Sequence, residues 1–308
     1  MKKHFLFFVA ATTITLTSCN HSGYLYEPVG QHQMTLSFNG TGDKTISLAG
    51  TGPVTIYWKN DEKSDTYLLS PALLSFTHAY PENTGQTVVI TIYGDNVTHL
   101  VCEDNQLRAL DVSKNTALQV LNCSNNRLTA LDVSKNTKLQ VLNCSSNRLT
   151  GLDVSNNTAL KELYLARQLT SSNSTLTRLI ASNTALTELD CSGHFLSTLE
   201  LNNMTALKVL HCNNNALLDL DVSKIHNLSE LYCNNNELSN LTVGTNKLLK
   251  TLNCGYNVML INEINKLFES LHSDSKIKDK KIWVVGNPGR NHANYSAKIA
   301  EDKGWTVN

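Results

Sequence analysis

The chain has 308 residues, enough for two ordinary domains or one elongated array. Lys plus Arg and Asp plus Glu balance at 26 each, so no global field draws nucleic acid or an anionic membrane surface. Aromatic residues make up only 6% while Leu and Asn recur throughout, a bias that favours a repeat array over a conventional globule.

The first element in chain order is MKKHFLFFVAATTITLTSC. Lys2 and Lys3 form a short basic region, and the apolar run over residues 5–16 is too short and wrongly flanked to span a membrane. Leu16-Thr17-Ser18-Cys19 resembles a bacterial lipobox, which implies cleavage before Cys19 and lipidation of its thiol. An ordinary secretory signal with a chance cysteine is the alternative. Several acyl chains, at about 0.8 kcal/mol per buried CH₂, would hold a soluble domain on a membrane. No other stretch reaches the ~18 apolar residues that a spanning helix needs. The expectation is a signal peptide over 1–18, a tether over 19–29, and a protein of the bacterial envelope held by its lipid alone. Asn20 stands where such signals carry Asp for inner-membrane retention, which favours the outer membrane of a Gram-negative host and leaves surface display open.

Residues 30–94 alternate as β-strands do, in MTLSF, KTISLAG, VTIYWKND and TVVITIYG. The run from VTIYWKND through FTHAYPENTGQTVVITI resembles a PKD-type immunoglobulin-like module. Trp58, His78, Tyr80 and Gly85 match that pattern, while Lys59-Asn60-Asp61-Glu62 departs from its glycine-aspartate phrase. The resemblance implies a reduced, sandwich-like module that caps or spaces and does not catalyse.

Residues 110–130 read LDVSKNTALQVLNCSNNRLTA, and the next stretch reads LDVSKNTKLQVLNCSSNRLTG. Cys102, Cys123, Cys144, Cys191, Cys212, Cys233 and Cys254 recur at intervals of 21, with one gap of 47 in which Leu165 takes the missing place. Each sits at the same place in the phrase L-x-x-L-x-C-x-x-N-x-L or a one-residue variant of it, as in Leu118, Leu121, Cys123, Asn126 and Leu128. That phrase is the leucine-rich-repeat signature. The variant with cysteine and LDVS-x-N-T is similar to the cysteine-ladder repeats of internalin J. The resemblance implies a leucine-rich-repeat solenoid over 95–260 with one parallel β-sheet, α/β by convention but β-dominated. Alternation along each strand predicts Leu121 and Cys123 inward and Asn122 outward. Strands about 4.8 Å apart would stack the cysteines in a column of small buried hydrophobes. Export raises the disulfide alternative, but an odd number of parallel thiols cannot pair fully. A column one thiol wide offers no tetrahedral metal cage. Asn105, Asn126, Asn147, Asn215, Asn236 and Asn257 fill the Asn slot, with Gln168 and His194 as departures. An inward amide there satisfies backbone groups where each coil turns. Five extra residues fall within 166–175, and insertions in such arrays emerge as loops, often on a binding face.

Residues 261–308 read as a small α/β C-terminal cap. INEINKLFESL is an amphipathic helix, KIWVVGNPG a strand and turn, and AKIAEDKGWTVN a helix leading to a last strand.

Outward strand positions form columns on the concave sheet. The middle one runs Val101, Asn122, Asn143, Tyr164, Asp190, His211, Tyr232, Asn253, and the one before it His99, Val120, Val141, Glu162, Glu188, Val209, Glu230, Thr251. The early coils are bland, whereas Glu162, Tyr164, Glu188, Asp190, His211, Glu230 and Tyr232 gather in the later ones as the candidate ligand-binding set. Solenoids bind along that concavity, and tyrosine suits interfaces. Arg127, Arg148 and Arg167 would rim the turn edge or simply be solvated. Paired carboxylates can hydrolyse glycosides, and Ser192, His211 and Asp190 or His211, Asp190 and Glu188 could form a triad or a metal site. An open sheet, however, neither excludes water nor splits pKa values, and no Walker, zinc-protease or Rossmann phrase occurs. The reading is therefore a protein with no catalytic residue, cofactor or resident metal. Internalin-like repeats imply an extracellular protein or glycan as partner and a role in recognition or adhesion. The alternative is a carbohydrate-active or accessory envelope protein that handles saccharide through the β module or the acidic patch.

Overall fold

The computed structural model describes residues 32–58, 64–80, 86–166, 176–181 and 185–308. The expected signal, Cys19 and the expected tether lie outside them, as do residues 59–62, Gly85, Arg167, Gln168 and all of the insertion but Ala166.

Strand order builds a solenoid. The N-terminal strands are β1 (Gln33–Asn39), β2 (Gly42–Tyr57), β3 (Ser64–Leu69), β4 (Leu74–Tyr80), β5 (Thr87–Tyr93), β6 (Asn96–Val101) and β7 (Leu107–Asp111). One short strand per coil follows: β8 (Val120–Asn122), β9 (Val141–Asn143), then β10 (Gly151–Asp153) on the other leg, and β11 (Glu162–Tyr164). After the insertion come β12 (Arg178–Ile180), β13 (Glu188–Asp190), β14 (Val209–His211), β15 (Glu230–Tyr232) and β16 (Thr251–Asn253). Helix α1 (Ile261–Ser270), β17 (Lys280–Trp283), α2 (Lys298–Glu301) and β18 (Trp305–Val307) end the chain. Strands β6, β8, β9, β11, β13, β14, β15, β16, β17 and β18 pair in parallel, in that order, as one sheet. The fold is thus a leucine-rich-repeat solenoid.

The Asn slot explains why the coils stack at a fixed offset. Asn126 Nδ2 donates to the carbonyls of Cys123, in its own coil, at 3.0 Å and Cys102, in the preceding one, at 2.9 Å. Its Oδ1 accepts from the backbone N–H of Leu107 at 2.9 Å and of Asn105 at 3.1 Å. Asn147, Asn215, Asn236 and Asn257 each reach back to the cysteine carbonyl of the coil before. His194 does the same in another chemistry: its Nε2 lies 2.7 Å from the Leu165 carbonyl and its Nδ1 accepts from Leu176 N. Two residues beyond each cysteine the chain turns through positive φ, at Asp104, Asn125, Ser146, Gly193, Asn214, Asn235 and Tyr256.

A second asparagine ladder runs down the opposite leg, and the sequence reading did not isolate it. Asn136 Nδ2 donates to the carbonyls of Val112 and Asn115, Asn157 to Val133 and Asn136, and Asn246 to Val222 and Ile225. Its signal was the recurring N of LDVS-x-N-T. The D and S of that phrase have a local reason too. Asp111, Asp132, Asp153 and Asp221 each accept from the backbone N–H two residues on, an Asx turn that ends the leg. The serine contacts hold the Asp132, Asp153 and Asp221 carboxyls below their ordinary value.

All seven cysteines within the described residues are free and buried. Burial pushes their thiols up, to about 12 at Cys123 and Cys254, which leaves them protonated and inert at neutral pH. Leu165 completes the column and borders a small cavity lined by Cys144, Asn147, Leu149, Leu176 and His194. Around the insertion, β10 and β12 pair in parallel as a separate two-stranded sheet, while β11 pairs directly with β13. Asn122 departs from expectation: it is buried, because its Nδ2 donates to Glu103 and its Oδ1 takes the Ser124 N–H.

At the N-terminal end, KTISLAG and the VTIY of the next run merge into the single strand β2. Its first half pairs with β4 and β6 and its second with β3 and β5. The bend lies at a register shift between Ala49 and Gly50, where a Cβ on Gly50 would sit 2.0 Å from the Asn96 carbonyl oxygen. Strand β1 pairs with β7, so the two legs of the first coil are hydrogen-bonded by β2 and β1 respectively. Asn105 exchanges both bonds with Thr45 of β2, which takes the place of a preceding coil. Trp58 and His78 stack at 5.3 Å, and the Tyr80 hydroxyl donates to the Trp58 carbonyl.

At the other end α1 buries Ile264, Leu267 and Phe268. The parallel sheet does not stop at residue 260. In β17 Ile282 pairs with Leu252, Val284 stands in the cysteine place, and Asn287 donates to the Cys254 carbonyl at 3.0 Å. KIWVVGNPG is therefore one more coil of the array.

Asn236→Ala would strip the donor from the Cys212 and Cys233 carbonyls and the acceptor from Leu217 N–H. The expected loss is about 2–4 kcal/mol, read by urea unfolding. Asn213→Ala on the outward side should stay within about 0.5 kcal/mol of the parent.

Candidate functional site

The parallel register sets the seven candidate residues side by side. Glu162 is the direct partner of Glu188 and Tyr164 of Asp190; His211 pairs with Asp190 on one side and Tyr232 on the other, and Val209 with Glu230. Inward leucines Leu163, Leu189, Leu210 and Leu231 are fully buried. Alternation then forces residues 162, 164, 188, 190, 209, 211, 230 and 232 onto the concave face, where each is half-buried.

The tyrosines orient the acids. Tyr164 donates its hydroxyl to Glu162 Oε2 at 3.0 Å, and Tyr232 to Glu230 Oε2 at a longer 3.4 Å. Burial, then the Glu188 and Glu162 carboxylates, push the Tyr164 hydroxyl up, so it stays a neutral donor. The Glu188 carboxyl is raised by burial; a hydrogen bond with Tyr164 opposes the shift, while Glu162, Asp190 and Glu230 add to it. Burial lowers His211 against the pull of Asp190 and Glu230. Its imidazole, held toward the neutral form, lies flat on the Tyr232 ring with centroids 4.4 Å apart and planes 8° apart.

The structure separates groupings that sequence left open. Ser192 Oγ donates to Asp190 Oδ1 at 2.6 Å, and His211 turns its face to Tyr232, so no Ser–His–Asp relay is assembled. Among the described residues no group of three or more His, Cys, Asp or Glu could hold a metal ion. Arg127 is half-buried and Arg148 exposed on the turn edge.

Two features escaped the sequence reading. The middle column continues past Asn253 to its register partner Trp283. Asn122, Asn143, Asp190 and Asn253 of that column also do a structural job, since the Oδ1 of each accepts the N–H two residues on and closes the strand end. Tyr164, His211, Tyr232 and Trp283 stand in that slot with rings that offer no such carboxylate or amide oxygen.

No family model matches the chain, and no curated protein matches it. Among solved structures it is similar to the functional domain of InlJ from Listeria monocytogenes, which includes a cysteine ladder. The identity there is 34% and the TM-score 0.55, over 63% of this chain and 40% of that one. It is also similar to a leucine-rich-repeat protein of Leptospira interrogans (17% identity, TM-score 0.43, 64% of this chain and 62% of that). A third is YopM, a leucine-rich effector protein from Yersinia pestis (23%, 0.42, 56% and 46%). The chain thus has leucine-rich-repeat structural neighbours, one of them a cysteine-ladder domain of which it spans less than half the length.

Glu188→Gln tests the electrostatics of the sheet. A carboxyl raised above its ordinary value of 4.5 is costly to ionise in the folded state, so its penalty is absent in acid and develops as pH rises through the shifted value. Glu188→Gln should therefore raise Tm at pH 7, and the gain should vanish by pH 4. A variant less stable than the parent at pH 7 would contradict this.

Proposed function

We propose that this chain is a non-enzymatic recognition protein whose concave sheet binds a protein partner outside the cytoplasm. One observation carries the reading. Ten parallel strands in continuous register present an open, rigid face, and the varied side chains Glu162, Tyr164, Glu188, Asp190, His211, Glu230 and Tyr232 are contiguous on it. Such a face fits interface chemistry, with aromatic anchors and flanking charge, better than a water-excluding cleft. The likeness to a cysteine-ladder domain supports the same class of role by analogy.

The extracytoplasmic setting and a lipid anchor at Cys19 belong to the proposal and rest on the lipobox-like Leu16-Thr17-Ser18-Cys19. Among the described residues no helix is long and apolar enough to cross a membrane. The N-terminal module, with Trp58, His78 and Tyr80 packed together, fits a reduced PKD-like unit that spaces the array from its anchor.

Cys19→Ala should abolish incorporation of a labelled fatty acid and shift the protein from the membrane to the soluble fraction; continued labelling would remove the anchor. For the concave face, the purified full chain would be offered to extracellular-protein and glycan arrays beside a Tyr164→Ala/Tyr232→Ala variant. A saturable protein hit lost in the variant is expected. A hit kept by the variant would place recognition on another surface, and a hit on glycans alone would favour saccharide handling.

A further inference from the structure

We infer that the partner segment held by the concave sheet is cationic: a lysine- or arginine-bearing stretch of polypeptide seated over β11, β13, β14 and β15. The inference rests on the concave-face reading above and names the chemistry of its occupant.

Two local rules of the fold are broken in the same four coils. The first concerns charge. Glu162 and Glu188 are direct cross-strand partners in register, and like charges directly opposite on neighbouring strands are destabilising. Asp190 lies on the same strand as Glu188, and Glu230 two strands beyond. The fold does not need these acids, because the same outward places hold Val120 and Val141 in β8 and β9. Among the described residues the basic group paired with this set is Lys250, whose Nζ lies 3.3 Å from Glu230 Oε1 at the margin of the sheet. Lys161, at the same margin, is drawn away to Gln140 Oε1. Glu162, Glu188 and Asp190 therefore face outward with no cationic neighbour in contact among the described residues.

The second rule concerns the strand-end cap. Tyr164, His211 and Tyr232 replace the asparagine or aspartate that closes the strand end in neighbouring coils. Each replacement forgoes a local hydrogen bond and exposes a ring edge or face beside a carboxylate. The Tyr232 and His211 rings lie flat on one another, with Asp190 the register partner of His211 and Glu230 two residues before Tyr232 on the same strand. Carboxylates alternating with aromatic faces on an open sheet complement an ammonium or guanidinium group, which pairs with the acid and packs its charge on the ring. A seated cation would relieve the repulsion that the free sheet carries at Glu188. An anionic or purely apolar segment would gain nothing there and would bury carboxylates without a partner.

The test uses four fluorescein-labelled dodecapeptides, alternating glycine with Arg, Lys, Glu or Ser, titrated with the full chain by anisotropy. The Arg and Lys peptides should bind saturably and the Glu and Ser peptides should not. The Glu162→Gln/Glu188→Gln variant, checked for an unchanged circular dichroism spectrum, should weaken the Arg peptide about tenfold. Raising salt from about 0.05 to 0.5 M should weaken the parent more than the variant. Arg-peptide binding that is unchanged in the double variant, or no binding at all, would overturn the inference. Binding of the Ser or Glu peptide that Tyr232→Ala abolishes would also overturn it while leaving the concave-face reading standing. That reading falls separately, if array hits survive loss of both tyrosines.

Discussion

The outward columns of the repeat coils are positioned by a buried side chain, most often an asparagine amide, that ties each coil to the one before. Asn126, Asn147, Asn215, Asn236 and Asn257, each three residues beyond a cysteine, donate to the carbonyl of that cysteine and to that of the cysteine one coil earlier. In the same stroke each accepts the N–H that opens the next leg. A shift of one coil against the next would leave three buried polar groups unpaired, each costing about 1–3 kcal/mol. The stack therefore has one register, and outward side chains twenty-one residues apart fall beside each other. Where the period is interrupted His194 supplies the same donor and acceptor from an imidazole, which shows that the geometry of the bonds matters and the residue type does not.

The interior and the concave face follow opposite rules. Inside, leucine, cysteine and asparagine recur because each coil meets the same neighbours above and below, and the thiols are held protonated by burial. Outside, the first coils keep the strand-end cap through Asn122 and Asn143, while among the later ones Asp190 and Asn253 keep it and Tyr164, His211 and Tyr232 give it up for rings, with acid placed against acid at Glu162 and Glu188. Departures from local consistency that gather in one place mark function more often than accident. Helix contributes little to any of this: among the described residues the α-helices are α1 and α2 at the C-terminal end, and coil-to-coil contact supplies the cohesion, as expected of a quasi-one-dimensional array.

The ends are closed by continuation of the same bonding. Strand β2 hydrogen-bonds the first strand of the solenoid and offers Thr45 to Asn105 as a preceding coil would. The apolar residues Met34, Leu36, Phe38, Ile46 and Leu48 join one core with Leu100, Leu107 and Leu121. At the far end, Asn287 and Ile282 carry the pattern one coil further than the cysteines do.

The sequence by itself determined the solenoid, its period, the inward column of cysteines and the two outward columns, because a side-chain alternation of two and a repeat of 21 leave one way to stack. It could not show that Asn122 is buried, since this depends on Glu103 reaching across from the neighbouring coil. Nor could it show that β2 is one bent strand serving two sheets, or that 281–289 is a coil, since Val284 hides the cysteine signal. Those outcomes depend on pairing between segments far apart in the chain. The same holds for the site. Its members were legible from spacing, but the stacking of His211 on Tyr232, the tyrosine bonds to Glu162 and Glu230, and the bond that takes Ser192 to Asp190 were decided by tertiary structure, because rotamers answer to neighbours on adjacent strands and not to the residues beside them in sequence.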